Sequence, residues 1–186
     1  MTDLNDTLFA REIPAGYEPR VMAQGVATWV GAGAGANNEI MNCALSGVGE
    51  YRIIDHDHIS TSNLPRSPLF RRAMVSSKRR FKARELALAV LDLSYAQEPT
   101  VRYAISKIEP LGLGALRGSG VIVGAVDSMK VQAFIADAAR VLAIPYVWGG
   151  FSGHVGQFAV FPNAAAEEPC LRCAISSSSA KSPARS

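Results

Sequence analysis

Val26-Ala-Thr-Trp-Val30-Gly31-Ala-Gly33-Ala-Gly-Ala36-Asn37 decides the fold. Five residues of apolar, β-branched and aromatic character that stop dead at a glycine predict a buried strand and a tight turn. Glu39-Ile-Met-Asn-Cys-Ala-Leu-Ser46 then reads as helix, closed by Gly47-Val-Gly49, and Tyr51-Arg-Ile-Ile54 as the next strand. Strand, glycine turn, helix and strand within about thirty residues is the size of one βαβ unit. Further along, helices are expected over Phe81–Leu93 and Met129–Leu142, and buried strands at Val121–Val126, Ile144–Trp148 and Gly156–Phe161. Strands alternating with helices predict an α/β chain with a doubly wound sheet. In such sheets a ligand sits beyond the carboxyl ends of the strands, where Asp55 and Asp127 both fall.

The rest of the composition narrows the class. The chain has 186 residues, 48% hydrophobic and 19% charged, which is enough apolar material for one domain with a real core. That excludes a disordered chain, a fibre and a nucleic-acid packager. Before Gly25, Pro14, Gly16 and Pro19 break the text, so residues 1–24 form a separate N-terminal segment and 25–173 the folded domain. The end is rich in serine and cannot bury a core, so 174–186 is expected to be a disordered tail. No apolar run reaches the roughly 18 residues needed to cross a bilayer, so no membrane is expected. The opening Met1-Thr-Asp-Leu-Asn-Asp lacks the basic and apolar regions of a secretory signal, which predicts a cytoplasmic protein. Of the net charge of +3, Lys181 and Arg185 in the tail supply two.

The glycine turn carries the first chemistry. Gly31 permits a tight turn, Gly33 lets a phosphate approach the backbone, and Ala36 is a small third residue for helix packing. The helix that follows offers free N–H groups to an anion. Asp55, 22 residues after Gly33, can accept ribose hydroxyls at the end of the second strand. Together these predict a Rossmann-like nucleotide site, and at this point an NAD-dependent oxidoreductase fits as well as an ATP enzyme. Asp55-His56-Asp57-His58 has metal-ligand residue types, but strand neighbours point to opposite faces, so the four are not expected to converge on one ion. Residues 71–84 hold seven Arg and Lys with no interleaved aromatic beyond Phe81, so a solvated basic surface is expected and no nucleic acid.

Three further stretches discriminate. Ala44-Leu-Ser-Gly-Val-Gly49, Asp55-x-Asp57 and Ser62-Asn63-Leu64-Pro65-Arg66-Ser67-Pro68-Leu69-Phe70, in this order behind the glycine turn, resemble the ThiF-type, ubiquitin-activating-like adenylyltransferases. The resemblance covers residues 25 to 173. Pro145-Tyr-Val-Trp-Gly-Gly150, Gly156–Phe161 and Pro169-Cys-Leu-Arg-Cys173 look like the branch represented by the molybdopterin-synthase adenylyltransferases. The resemblance implies that Asp55 holds ribose, that Asn63 and Arg66 reach the triphosphate, and that Lys82 is the phosphate-binding lysine, with Lys78 the runner-up. It implies Asp127 as the Mg²⁺-linked carboxylate and Arg11 as an arginine acting across a homodimer interface. Ser128 and Gln132 depart from the family, which often has asparagine and a basic residue there.

The implied reaction is ATP-dependent adenylation of the C-terminal glycine of a ubiquitin-like sulfur-carrier protein, with pyrophosphate released, as in molybdopterin or thiamine biosynthesis. Arg, Lys and Mg²⁺ suit that chemistry, because two anions must meet while charge builds on the departing oxygens. Cys170 and Cys173 form a C-x-x-C, which in the family supplies half of a zinc site. Two thiolates do not close a structural zinc site, and no second pair is present. Cys43 stands among apolar neighbours and reads as core. Family members usually continue past this C-x-x-C, so the chain is expected to be C-terminally short. Impaired activity, or a non-catalytic nucleotide- or carrier-binding module, is the corresponding alternative.

Overall fold

The computed structural model describes residues 7–75, 80–152, 155–162 and 170–173. The predicted tail at 174–186 and the runner-up Lys78 lie outside them. Six strands form one sheet: β1 (Val26–Val30), β2 (Glu50–Ile54), β3 (Thr100–Ala104), β4 (Val121–Gly124), β5 (Tyr146–Ser152) and β6 (Val155–Phe161). Their spatial order is β3-β2-β1-β4-β5-β6. The first five strands are mutually parallel, and β6 folds back antiparallel on β5. The long helices are α1 (Ala34–Leu45), α2 (Lys82–Leu93) and α3 (Met129–Leu142). The expected doubly wound α/β sheet is the observed one. Among the described residues no helix is long and apolar enough to cross a membrane.

The period-two alternation of β1 divides the core. Ala27 and Trp29 face α1 and α2, meeting Tyr51 and Ile53 of β2, Ile40 and Ala44 of α1, and Leu86 and Val90 of α2. Val30 points to the other face with Ile54 and Ile122, against Ile135 and Ala139 of α3. Thr28 lies on that second face too, fully buried, and shares a 2.6 Å hydrogen bond with the Ser119 hydroxyl. Both polar groups are thereby satisfied. In α2 the buried Glu85 is paired with Arg80 at 2.7 Å and Arg84 at 2.9 Å, which removes two arginines of the basic stretch from the freely solvated surface.

Several elements differ from expectation. Strand β5 runs over Tyr146–Ser152 rather than Ile144–Trp148, because its pairing with β6 carries it past the end of β4. Helix α1 begins at Ala34, not Glu39, because Gly33 already serves as its N-cap and the intervening Ala-Gly-Ala-Asn fits a helical first turn. Strand β4 ends at Gly124 rather than Val126, since the chain turns off the sheet to cross the strand ends. Strand β3 is not foreseen at all. It pairs with β2 from Glu50↔Thr100 to Ile54↔Ala104 at the sheet edge, where Thr100, Arg102 and Tyr103 are exposed. A solvated edge strand carries no apolar run to announce it.

Candidate active site at the carboxyl ends of the strands

Parallel strands bring their carboxyl ends to one rim, and the described residues form a cleft of about 510 Å³ there. Gly31, Gly33, Asp55, Asn63, Arg66, Lys82 and Asp127 all line it. They come from separate stretches of sequence, joined by the sheet order that sets β1 between β2 and β4.

The glycine turn is locked from below. Gly31 has φ +103°, and a Cβ there would lie 2.4 Å from the Ala125 carbonyl oxygen, so no side chain is tolerated as β1 passes the end of β4. The Gly31 N–H donates to the Ile54 carbonyl at 2.8 Å, and Ala125 N–H to Val30 at 2.8 Å. The Asp55 carboxylate grips both sides: Oδ2 accepts the Ala32 N–H at 2.7 Å and Oδ1 accepts the Asp57 N–H at 2.7 Å. Each oxygen keeps a further lone pair, so the carboxylate that braces the turn still faces the cleft as an acceptor.

Asn37, fully buried, is a positioning residue that the sequence reading passes over. Its Nδ2 donates to the carbonyls of Ala32 and Gly33 at 3.2 and 3.0 Å, and its Oδ1 accepts the Leu69 N–H at 3.3 Å. One side chain thus ties the glycine turn to the loop that carries Asn63 and Arg66. Within that loop, a 3₁₀ segment from Thr61 to Arg66, the Asn63 Oδ1 accepts the Ser60 N–H at 2.8 Å in a capping box. Lys82 opens α2 with a mostly buried stem, and its ammonium donates to Asp57 Oδ2 at 2.8 Å. That ion pair holds the Asp57 carboxyl below the usual carboxylate range.

Asp127 follows the end of β4, with Ser128 beside it in the cleft wall. The Ser128 hydroxyl accepts the Val131 N–H at 3.5 Å as the N-cap of α3, which accounts for serine at that position. Gln132 is fully buried and structural: its Nε2 donates to the carbonyls of Gly124 at 3.1 Å and Val126 at 2.6 Å, while the Tyr146 hydroxyl donates to its Oε1. The amide therefore pins the backbone immediately before Asp127. The opposite wall, Ser106 to Glu109, follows β3 and brings Lys107 and Glu109 to the cleft. Those residues go unforeseen for the same reason as β3, although the alternation of Val101, Tyr103 and Ile105 was available as a signal.

The reading of Asp55-His56-Asp57-His58 needs correction. Strand β2 ends at Ile54, so strand alternation does not govern these four residues, and ligand atoms of Asp55, His56 and Asp57 lie within 4.8 Å of one another. His58 turns aside to pack against Phe81, with ring centroids 4.0 Å apart and the rings tilted by 36°.

Three predicted residues lie elsewhere. Arg11 is exposed and does not line the cleft; its neighbour Phe9 packs under Gly47, at the amino ends of the strands. Cys170 and Cys173 face each other at 3.6 Å between sulfurs, on a helical turn anchored by buried Leu171 and by Arg172, which pairs with Asp137 through bonds of 2.8 and 2.6 Å. No third cysteine or histidine joins them in a metal-ligating group among the described residues. The donor set does not fit a closed tetrahedral site. Hydrogen bonding from the Cys173 backbone, with further help from Arg172, lowers the Cys170 thiol, whereas burial raises that of Cys43, which packs against the α1–α2 core.

The sequence matches the ThiF family model over residues 24–186. Similar proteins include the sulfur carrier protein ThiS adenylyltransferase of Bacillus subtilis, 28% identical over 90% of this chain and 48% of that protein. The mouse adenylyltransferase and sulfurtransferase MOCS3 is 32% identical over 70% of this chain and 27% of its own length. Among solved structures, Escherichia coli MccB bound to MccA-N7isoAsn superposes with a TM-score of 0.78 at 18% identity, over 92% of this chain and 51% of that one. At that identity the likeness speaks for the fold. The chain spans about half, or less, of the length of these relatives.

Proposed function

The chain belongs to the ThiF family, and from that premise we propose that it is an ATP-dependent adenylyltransferase domain acting on the C-terminal glycine carboxylate of a ubiquitin-like sulfur-carrier protein. The observation that carries this reading is the convergence of Gly31, Gly33, Asp55, Asn63, Arg66, Lys82 and Asp127 on one cleft. A relative named as the ThiS adenylyltransferase supports the choice of a sulfur carrier over other acyl substrates.

In this reading the turn at Gly31–Gly33 and the first N–H groups of α1 receive the phosphates, where the helix dipole favours an anion. Gly33 has open space where a side chain would stand, so the backbone is accessible there. The free lone pairs of Asp55 take the ribose hydroxyls. Arg66 and Lys82 lie against the triphosphate, and Asp127 is the carboxylate that would hold Mg²⁺ together with phosphate oxygens. One carboxylate plus phosphate is the usual donor set for that ion. Bound there, Mg²⁺ would offset charge on the phosphates.

The carrier's carboxylate oxygen attacks the α-phosphorus, a new P–O bond forms, and the bond to the bridging oxygen breaks to release pyrophosphate. Arg66 and Lys82 stabilise the charge that gathers on the departing oxygens, and no covalent nucleophile of the chain is needed. Arg11, exposed and remote from its own cleft, reaches an active site only across a homodimer.

The test is ATP–pyrophosphate exchange with Mg²⁺ and a panel of carrier proteins ending in Gly-Gly. Exchange that depends on one carrier and disappears in Asp127→Ala is expected. ATP binding with no exchange for any carrier would overturn the catalytic reading.

A further inference from the structure

Lys82 does not extend freely into the cleft. Its ammonium is held at 2.8 Å by Asp57 Oδ2, and its backbone N–H donates to the Asp57 carbonyl at 2.8 Å. Asp57 in turn donates its own N–H to Asp55 at 2.7 Å, and Asp55 holds the glycine turn through Ala32. An antiparallel bridge between His58 and Phe81, with the Ile59 N–H on the Arg80 carbonyl at 2.9 Å, fastens the two backbone segments side by side. The sugar end and the phosphate end of the cleft therefore meet at one residue.

We propose that Asp57 is the positioning residue that presents Lys82 to the terminal phosphates of the bound nucleotide. This rests on the nucleotide-binding half of the proposed function. A lysine ammonium is a compact charge on a flexible four-carbon stem, with three N–H donors. Here the side chain is 13% exposed, so packing fixes its course, while the Asp57 side chain is 53% exposed and stands at the cleft wall. The carboxylate takes one donor of the ammonium and leaves the others for a ligand. Its second oxygen lies 3.6 Å from His56 Nε2, and among the described residues the ion pair with Lys82 is the shorter of the two. Asp57 itself, an anion, is no ligand for phosphate, and its influence on the nucleotide passes through Lys82.

Calorimetry with Mg·ATP and with AMP on the full chain tests this, using Asp57→Asn, Lys82→Met and the double variant. AMP lacks the phosphates Lys82 is placed to meet, so it reports general damage to the turn. Asp57→Asn is expected to weaken ATP about five- to tenfold and AMP less than about twofold, and to change ATP affinity less than about twofold once Lys82→Met is present. Equal weakening of ATP and AMP, a loss that persists in the Lys82→Met background, or ATP binding that is unchanged or tighter in Asp57→Asn would each overturn the assignment. Failure of the unsubstituted chain to bind either nucleotide would overturn it together with the nucleotide site. Absence of pyrophosphate exchange while ATP still binds would remove the adenylation reading and leave the result for Asp57 standing.

Discussion

Replacing Gln132 by methionine keeps the length and shape of the side chain and removes only its hydrogen bonding. Three groups then lose a partner: the carbonyls of Gly124 and Val126 and the hydroxyl of Tyr146, which is 2% exposed. Each buried polar group left unsatisfied costs about 1 to 3 kcal/mol, partly offset by burying an apolar side chain in place of an amide. The net loss expected is about 3 kcal/mol, or roughly 6 to 12 °C in Tm for a domain of this size. The hydroxyl's share can be isolated. In Gln132→Met with Tyr146→Phe the orphaned O–H is gone, and about 1 to 2 kcal/mol should return, because removing both partners is far less costly than removing one. Urea unfolding followed by the fluorescence of Trp29 and Trp148 reads all four members of the cycle. A loss under about 1 kcal/mol for Gln132→Met, or a double variant less stable than that single one, would refute the reasoning. The backbone before Asp127 should loosen as well, so Gln132→Met is expected to lose exchange activity at temperatures where it remains folded.

Gly31→Ala places a methyl group 2.4 Å from the Ala125 oxygen at φ +103°, and should abolish nucleotide binding in calorimetry while lowering the Tm; binding at wild-type affinity would contradict the close approach. Asp55→Ala removes two 2.7 Å bonds from backbone N–H groups and is expected to destabilise the chain by about 2 to 4 kcal/mol in urea titrations, against near zero if the turn is held by other contacts. Asp57, Glu50 and Asp137 are each held below the usual carboxylate range, first of all by hydrogen bonds from Lys82, Arg52 and Arg172 respectively. Because their folded values lie below the unfolded ones, their contribution is complete above about pH 5 and fades as the pH falls through the folded values. Urea midpoints should therefore drop below that pH, and less steeply in Asp137→Asn; a parallel decline in that variant counts against the pair. A thiol reagent near neutral pH should label the Cys170–Cys173 turn before Cys43, with Cys170→Ser removing the fastest phase; prior labelling of Cys43 would contradict its burial.

The parts of the fold that were legible from residue order share a physical cause. Val26–Val30 and Tyr51–Ile54 are largely buried on both faces, so their apolar runs are nearly unbroken, and glycine marks where each connection must turn. Asp55 and Asp127 could be placed because a strand end is a one-dimensional landmark. Strand β3 was missed because its edge position leaves much of it in water, with only the alternation of Val101, Tyr103 and Ile105 to mark it, and the Ser106–Glu109 wall was lost with it. The work of Asn37 was hidden for another reason: its partners at Ala32, Gly33 and Leu69 are backbone atoms, whose identity leaves no trace in the sequence. Gln132 looked like a departure from a pattern of charge, and proves to be the interior anchor of the β4 terminus. Arg11 is exposed and does not line the cleft of its own chain, as a residue expected to act across a dimer interface need not.

The reversal of the last strand makes the rim uneven. Gly124, the final residue of β4, pairs with Trp148, yet β5 continues through Ser152 and returns as β6 from Val155. Four residues beyond the end of β4, at about 3.3 Å each, raise this hairpin about 13 Å above the level at which the neighbouring strand stops. Phe158, paired with Gly149 on the raised portion, is 83% exposed. The cleft that holds Asp127 thus has the raised β5–β6 hairpin on one side and, beyond β2 and β3, the segment Ser106–Glu109 leading into the helical turn Ile108–Leu111 on the other. In the proposed reading, a carrier tail that approaches the cleft over the β5–β6 side meets the open ring of Phe158 before it reaches Asp127.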